Sequence, residues 1–415
     1  MTRSKWIAGF VIVLFVLPLS MGLLSVVRAT RAAERSAGLR ARGHLAARHE
    51  HANAHEHSHD DADPTPARVF LPLVLRAPSG FFDSGQRLGD SASSGVALGD
   101  LDGDGDLDAF VADFFPLANH VWLNDGSGSF VDSGQRLGDS YSQAVALGDL
   151  DGDGDLDAFV GNDGGLGSPM VWLNDGSGSF AESGQYLGAP DIEKVALGDL
   201  DGDGDLDGVV VAGGFKVFLN DGSAVFDSSG WSGSGRNYDG MGLGDVDGDG
   251  DLDIFLAVDC NPNEVWLNDG SASFVDSGQR LGLNDSADVA LGDLDGDGDL
   301  DAFVGNIEDW DKCDRIWLND GSGQFVDSGQ CLSGGYGKVV VLGDVDGDGD
   351  VDAVVSGGKT FWINNGQGVF SASQKFASGQ DTFGAALGDL DGDGDLDAFF
   401  ANCAQEPNTV WLHRQ

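Results

Sequence analysis

Short apolar runs alternate with polar, glycine-rich stretches along most of the chain. One unit shows the pattern. Residues 144–150, "AVALGDL", are apolar enough for a short, buried inner strand, and residues 156–162, "LDAFVGN", form a second apolar run. Between them lies the polar loop "DGDGD". Residues 171–180, "VWLNDGSGSF", hold Asn174-Asp175-Gly176, a hairpin turn signal between apolar runs. The following "FAESGQYL" alternates and reads as a fourth strand. The pattern predicts four antiparallel strands per unit. Helical periodicity is absent, which excludes a solenoid of helix pairs.

The unit recurs. Its Asp-rich stretch begins at Asp100, Asp149, Asp199, Asp245, Asp293, Asp344 and Asp389, at spacings of 49, 50, 46, 48, 51 and 45 residues. Four-stranded units repeated about four to eight times describe a β-propeller. The expected fold is therefore all-β: a seven-bladed β-propeller of four-stranded antiparallel blades over residues 80–415. The seventh unit stops at "VWLHRQ", its third strand. Residues 80–91, "GFFDSGQRLGDS", match the fourth-strand stretch "SFVDSGQRLGDS" at Ser129. Residues 81–88 should thus complete the last blade and close the ring, leaving no open edge between the two ends.

The first 79 residues follow a different pattern. "MTRSK" is basic, and residues 6–27 are almost uncharged and apolar, with small residues around Val27-Arg28-Ala29. Residues 1–29 read as a cleaved signal peptide or as a membrane anchor. Either reading places the bulk of the chain outside the cytoplasm, secreted or at the cell surface. Residues 30–79 read as a linker with a short apolar lead-in, "VFLPLVLR". Six of the eight histidines lie there: His44, His49, His51, His55, His57 and His59. That tract is either a transition-metal binder or a solvated spacer.

Charge narrows the function. The chain carries 22 Lys and Arg against 69 Asp and Glu, a formal net charge of −47. That argues against nucleic acid and anionic membrane surfaces as partners. The hydrophobic share of 41% is too high for a chain made disordered by its acidity.

The acidic loops hold 35 of the 69 acids. In "DLDGDGDLD" aspartates occupy positions 1, 3, 5, 7 and 9, with glycine at 6. The first loop is Asp100, Asp102, Asp104, Asp106 and Asp108; the second is Asp149, Asp151, Asp153, Asp155 and Asp157. The third is Asp199, Asp201, Asp203, Asp205 and Asp207; the fourth is Asp245, Asp247, Asp249, Asp251 and Asp253. The fifth is Asp293, Asp295, Asp297, Asp299 and Asp301; the sixth is Asp344, Asp346, Asp348, Asp350 and Asp352. The seventh is Asp389, Asp391, Asp393, Asp395 and Asp397. Carboxylate and carbonyl oxygens at alternate positions of a curled loop suit Ca²⁺, so seven calcium sites are expected. An EF-hand needs an acid at position 12, where the first loop has Val111.

"VALGDLDGDGDLDAFVG" resembles the FG-GAP or VCBS-type repeat of integrin α-subunit propellers and bacterial surface proteins. The resemblance covers residues 80–415. It implies Ca²⁺ bound by side chains at positions 1, 3, 5 and 9 and by the backbone carbonyl at position 7. In the first loop these are Asp100, Asp102, Asp104 and Asp108, with Asp106 giving its carbonyl. The literal Phe-Gly and Gly-Ala-Pro pieces are missing, and no Arg-Gly-Asp occurs. Integrin-like receptor pairing is therefore not implied.

Outside the linker only His120 and His413 remain, in different blades, and no histidine–carboxylate pair is apparent. The expectation is a monomeric, calcium-stabilised binding or adhesion module for a glycan or an extracellular protein, not an enzyme. The alternatives are a polysaccharide-active lyase or hydrolase and a structural spacer. Chain direction puts the acidic loops and the "NDGSG" turns on one face. The variable connections fall on the other face, where Phe114, Phe115, Tyr141, Trp231, Tyr238, Trp310 and Tyr336 are the candidate partner-binding residues. Of the cysteines Cys260, Cys313, Cys331 and Cys403, the second and third flank one hairpin. They either bridge across it or remain free thiols.

Overall fold

The computed structural model describes residues 10–11 and 80–414, apart from 91, 115–117, 164–168, 190, 234–236, 283–284, 308–312, 334–338, 357–359, 376–381 and 404–405. Among the described residues there is no helix. The strands form seven antiparallel sheets, one per repeat. Blade 1 is Ala92–Gly99, Asp108–Phe114, His120–Asn124 and Phe130–Asp132, each paired with the next. First strands of successive blades touch around the ring, so they form its inner wall. Phe10–Val11 pairs in parallel with Lys194–Val195, on the first strand of blade 3.

Closure follows the repeat arithmetic. Phe82–Asp83 pairs antiparallel with the blade-7 strand Thr409–Leu412, matching Phe82 to Leu412 and Asp83 to Trp411. Leu88 forms a further bridge to Asn408.

The inner strands are buried on both faces because each blade is pressed between two neighbours. The core is accordingly divided into seven clusters, one at each junction between blades. A second-strand phenylalanine in one blade meets a fourth-strand phenylalanine of the next. Phe110 and Phe180 pack edge-to-face at 5.3 Å, and Phe399 and Phe130 repeat the contact at 5.4 Å across the closing junction. Such pairs add about 0.5–1.5 kcal/mol beyond their buried area. Where the next blade's first-strand side chains press closest the sequence has glycine: a Cβ on Gly161 would lie 2.7 Å from Ile192 and 2.8 Å from Val195.

Five of the seven fourth strands are shorter than their alternating pattern predicts. Phe180–Glu182 has three residues, after which Gly184 takes φ 80°. The chain turns there so that Gln185 can reach the next blade. Its side chain donates to the carbonyl of Ala224 and accepts the N–H of Phe226 at 3.0 Å. Gln86, Gln135, Gln279 and Gln330 make the same pair of bonds. Gln374 clasps Phe81 of the closing strand. Cys313 and Cys331 form a disulfide, with Cα atoms 4.7 Å apart, that ties the last two strands of blade 5. Lys194 and Asp288, on the first strands of blades 3 and 5, form a buried ion pair at 2.8 Å.

Candidate functional site

Each acidic loop is a tight, self-bonded turn joining a blade's first two strands. In the first, Asp100 Oδ1 accepts the N–H of Gly103 at 2.8 Å, and Oδ2 accepts that of Gly105 at 3.1 Å. Both glycines need left-handed backbone, with φ of 78° and 95°. The position-6 glycine was legible from the pattern, and position 4 has the same requirement. Asp102 Oδ1 accepts from Asp104 N–H at 3.3 Å, and Asp104 Oδ1 from Asp106 N–H at 3.0 Å. Asp108 is fully buried, and its oxygens accept the N–H groups of Leu101 (3.0 Å) and Asn124 (2.7 Å). The other loops repeat the scheme, except that in the third, fifth and seventh the position-3 Oδ1 accepts no such bond.

The loop thereby gathers carboxylates. Asp100, Asp102 and Asp108 place oxygens within 4.8 Å of one another, as do Asp149, Asp151 and Asp157, and Asp245, Asp247 and Asp253. In the third loop the group is Asp199, Asp201 and Asp203. Position 7 stands apart. A Cβ on Gly126, in the turn of the same blade, would lie 2.3 Å from the Asp106 carboxylate, so that side chain rests against the turn.

Such crowding is unfavourable without a cation. Two carboxylates about 5 Å apart repel by roughly 3 kcal/mol at an effective dielectric near 20. Burial, and then the neighbouring Asp104, raise the pKa of Asp102. Burial raises Asp108 to about 6, against the two N–H groups it accepts from, and Asp397 to about 7. The position-3 oxygens Oδ1 of Asp201, Asp295 and Asp391 are buried and lack hydrogen-bond partners. Orphaned carboxylate oxygens among other carboxylates fit a hard, oxygen-seeking cation such as Ca²⁺.

The candidate partner-binding residues divide. Phe114 and Tyr141 are both half-buried, and their rings pack at 5.1 Å across the junction of blades 1 and 2. Tyr238 corrects the expectation: it is 1% exposed, and its hydroxyl donates to Glu264 at 3.1 Å inside the core. Trp231 also belongs to packing. It occupies the position where other blades have the clasping glutamine, and meets Phe215 at 4.8 Å and Trp266 at 5.5 Å. Phe115, Trp310 and Tyr336 lie outside the described residues.

Two groupings were missed in the sequence. His120 Nδ1 bonds the Asp113 carboxylate, whose other oxygen accepts from Ser93 at 2.7 Å. The expectation of no histidine–carboxylate pair is thus overturned. The signal was Asp113 standing where Asn162, Asn306 and Asn402 stand in other units. Asp259, Cys260 and Asp285 also converge. Hydrogen bonding to Asp259, followed by burial, pushes the Cys260 thiol up to about 12.

Comparison with known proteins agrees with the repeat reading. The model of the FG-GAP-like repeat family matches residues 100–160, 149–210, 199–256, 245–304 and 356–400. No curated protein matches the sequence. Among solved structures, BBS1N in complex with ARL6DN is similar at 12% identity and TM-score 0.55, covering 82% of this chain and 98% of that one. YCF48 bound to D1 peptide is similar at 11% identity and TM-score 0.50, covering 81% and 96%. A catalytically inactive virginiamycin B lyase from Staphylococcus aureus with quinupristin is similar at 11% identity and TM-score 0.54, covering 80% and 100%. At these identities the structures share a fold with the chain. Together with the seven sheets and their acidic loops, the family match shows that the chain belongs to the FG-GAP-like repeat proteins.

Proposed function

We propose that the chain is an exported binding module, stabilised by calcium, that recognises a protein or glycan through the face opposite its acidic loops. The observation that carries the reading is the convergence of carboxylates at loop positions 1, 3 and 9, with unpartnered buried oxygens at Asp201, Asp295 and Asp391. Positions 1, 3, 5 and 9 would hold the ion through side chains and position 7 through its carbonyl, in each of seven loops. Bound calcium would supply the positive charge that the loops lack and would hold seven blade edges rigid. The opposite face carries the connections that differ between repeats, and variable loops on a rigid scaffold suit recognition. Two neighbours in fold have a protein or peptide partner in their descriptions, which supports a protein partner.

The test is an array of extracellular proteins and glycans probed with the full chain, with calcium and with chelator. Capture should require calcium. It should be lost on Phe114→Ala with Tyr141→Ala while the calcium-dependent melt is unchanged. Capture that survives the double change contradicts the placement of the partner surface.

A second reading, a polysaccharide-active enzyme, is favoured by the Asp113–His120 pair. The carboxylate would hold the imidazole with Nε2 available as a base. Ser93 bonds Asp113 rather than His120, so it is not set up as a nucleophile. Turnover of polysaccharides that disappears in His120→Ala would establish this reading; no turnover would leave binding alone.

A further inference from the structure

In five blades the third strand ends on a buried asparagine (Asn124, Asn174, Asn220, Asn268 and Asn319), and in blade 6 the buried Asn364 follows it directly. Asn174 shows what its side chain does. Nδ2 donates to the carbonyl of Leu101 in blade 1 at 2.8 Å and to that of Leu156 in its own blade at 3.2 Å. Leu101 lies between Asp100 and Asp102, and Leu156 between Asp155 and Asp157. One amide thus grips two neighbouring acidic loops, each between residues of its cation site. Asn319 does the same with Val246 (2.7 Å) and Leu300 (3.1 Å). Asn124 bridges Leu390 of blade 7 (2.9 Å) and Leu107 (3.2 Å). Asn364 bridges Leu294 and Val351, at 2.7 and 3.0 Å. Asn220 and Asn268 reach the preceding blade at Leu150 and Leu200, both at 2.8 Å. A backbone donor reinforces three of these grips: Ala224 N–H to Leu150, Ala272 N–H to Leu200 and Gly368 N–H to Leu294, each 2.8 Å.

The seventh blade departs from the scheme. His413 stands at the asparagine position, buried; its Nδ1 makes no hydrogen bond and lies 3.8 Å from the Asp395 carboxylate of its own loop. Among the described residues no bond from it reaches the carbonyl of Val345, the equivalent position in blade 6. Its ring instead packs on Phe81 at 4.6 Å.

We propose that these asparagines couple cation binding at neighbouring loops, so that the seven sites form a chain of nearest neighbours, 7-1-2-3-4-5-6, interrupted between blades 6 and 7 by His413. The inference rests on the calcium reading of the loops. A cation that orders one loop fixes the carbonyl held by the asparagine. The fixed amide then holds the adjoining loop nearer its binding geometry, and the second cation has less ordering to do. By linkage the effect is reciprocal. The asparagines are positioning residues and need not touch the ion.

The test is calcium binding to the full chain by calorimetry, well below the melting temperature in chelator, for the parent, Asn174→Ala and His413→Asn. The parent should bind with a Hill coefficient above one. Asn174→Ala should lower that coefficient and weaken the calcium midpoint by about fivefold, the low end of typical coupling between sites. His413→Asn should raise the coefficient by restoring the missing link, an outcome that a merely structural asparagine would not give. Calcium binding with a Hill coefficient of one, unmoved by either substitution, would overturn the coupling and leave the calcium reading standing. No calcium binding in the parent would overturn both.

Discussion

The seven position-9 aspartates determine how the molecule should respond to pH. Burial raises Asp108, Asp157, Asp207, Asp253, Asp301 and Asp352 to about 6 and Asp397 to about 7 when no cation is present. A raised folded pKa contributes stability that is fully present below the unfolded value near 4 and is lost as pH rises through 6 to 7. In chelator the protein should therefore melt higher at pH 5 than at pH 7.5, the reverse of ordinary acid destabilisation. With calcium the order should invert, because protons compete with the ion for the same oxygens. Melting curves at both pH values, with and without calcium, check this; parallel profiles would contradict the loop chemistry. The aspartate spacing was legible because it recurs in every unit. Burial of position 9 was less so. The next residue along the chain looks the same whether its neighbour faces solvent or the blade, and the N–H groups of Leu101 and of Asn124, 16 residues away, show which.

At the scale of the element, strand order and closure were legible and the ends of the fourth strands were not. The stretch "FAESGQYL" alternates as a strand should, but Gly184 in left-handed backbone ends the pairing early. The glutamine that follows has its partner about one repeat away in the next blade, beyond any local pattern. Recurrence of Phe-X-X-Ser-Gly-Gln in five units was the available signal. Gln135→Ala removes a donor to Gly178 and an acceptor for Phe180 N–H, and should cost about 1–2 kcal/mol, read as a lower denaturant midpoint with unchanged slope. No shift would mean that the clasp is replaced by water. Tyr238 and Trp231 were misplaced for a related reason. A loop rich in glycine and serine reads as exposed, but the strand that contains Trp231 runs on from Phe226 to Ser232 and carries the ring into the cluster around Phe215. The Cys313–Cys331 pairing was left open by the sequence because the register of that hairpin was unknown. The bridge between Asp314 and Leu332 supplies it.

Residues 80–414 close into a ring, and on the proposed reading its stability depends on the closing strand and on neutralisation of the loops. Deleting residues 80–88 removes Phe82–Asp83 from the edge of Thr409–Leu412 and Phe81 from the clasp of Gln374. The truncated chain should melt well below the parent and aggregate through the exposed blade edge. An unchanged melt would mean that closure does not depend on that strand. If the seven loops bind calcium as proposed, neutralisation should be the larger effect. At calcium about tenfold above its dissociation constant one site adds roughly 1.4 kcal/mol, so seven sites treated as independent add on the order of 10 kcal/mol, comparable to the stability of a whole domain. The most direct test is the melting temperature of the full chain at pH 7.5 in excess chelator and after calcium is restored. A fall of tens of degrees that calcium reverses and magnesium does not is the expected result; a melting curve unmoved by chelator would contradict the account.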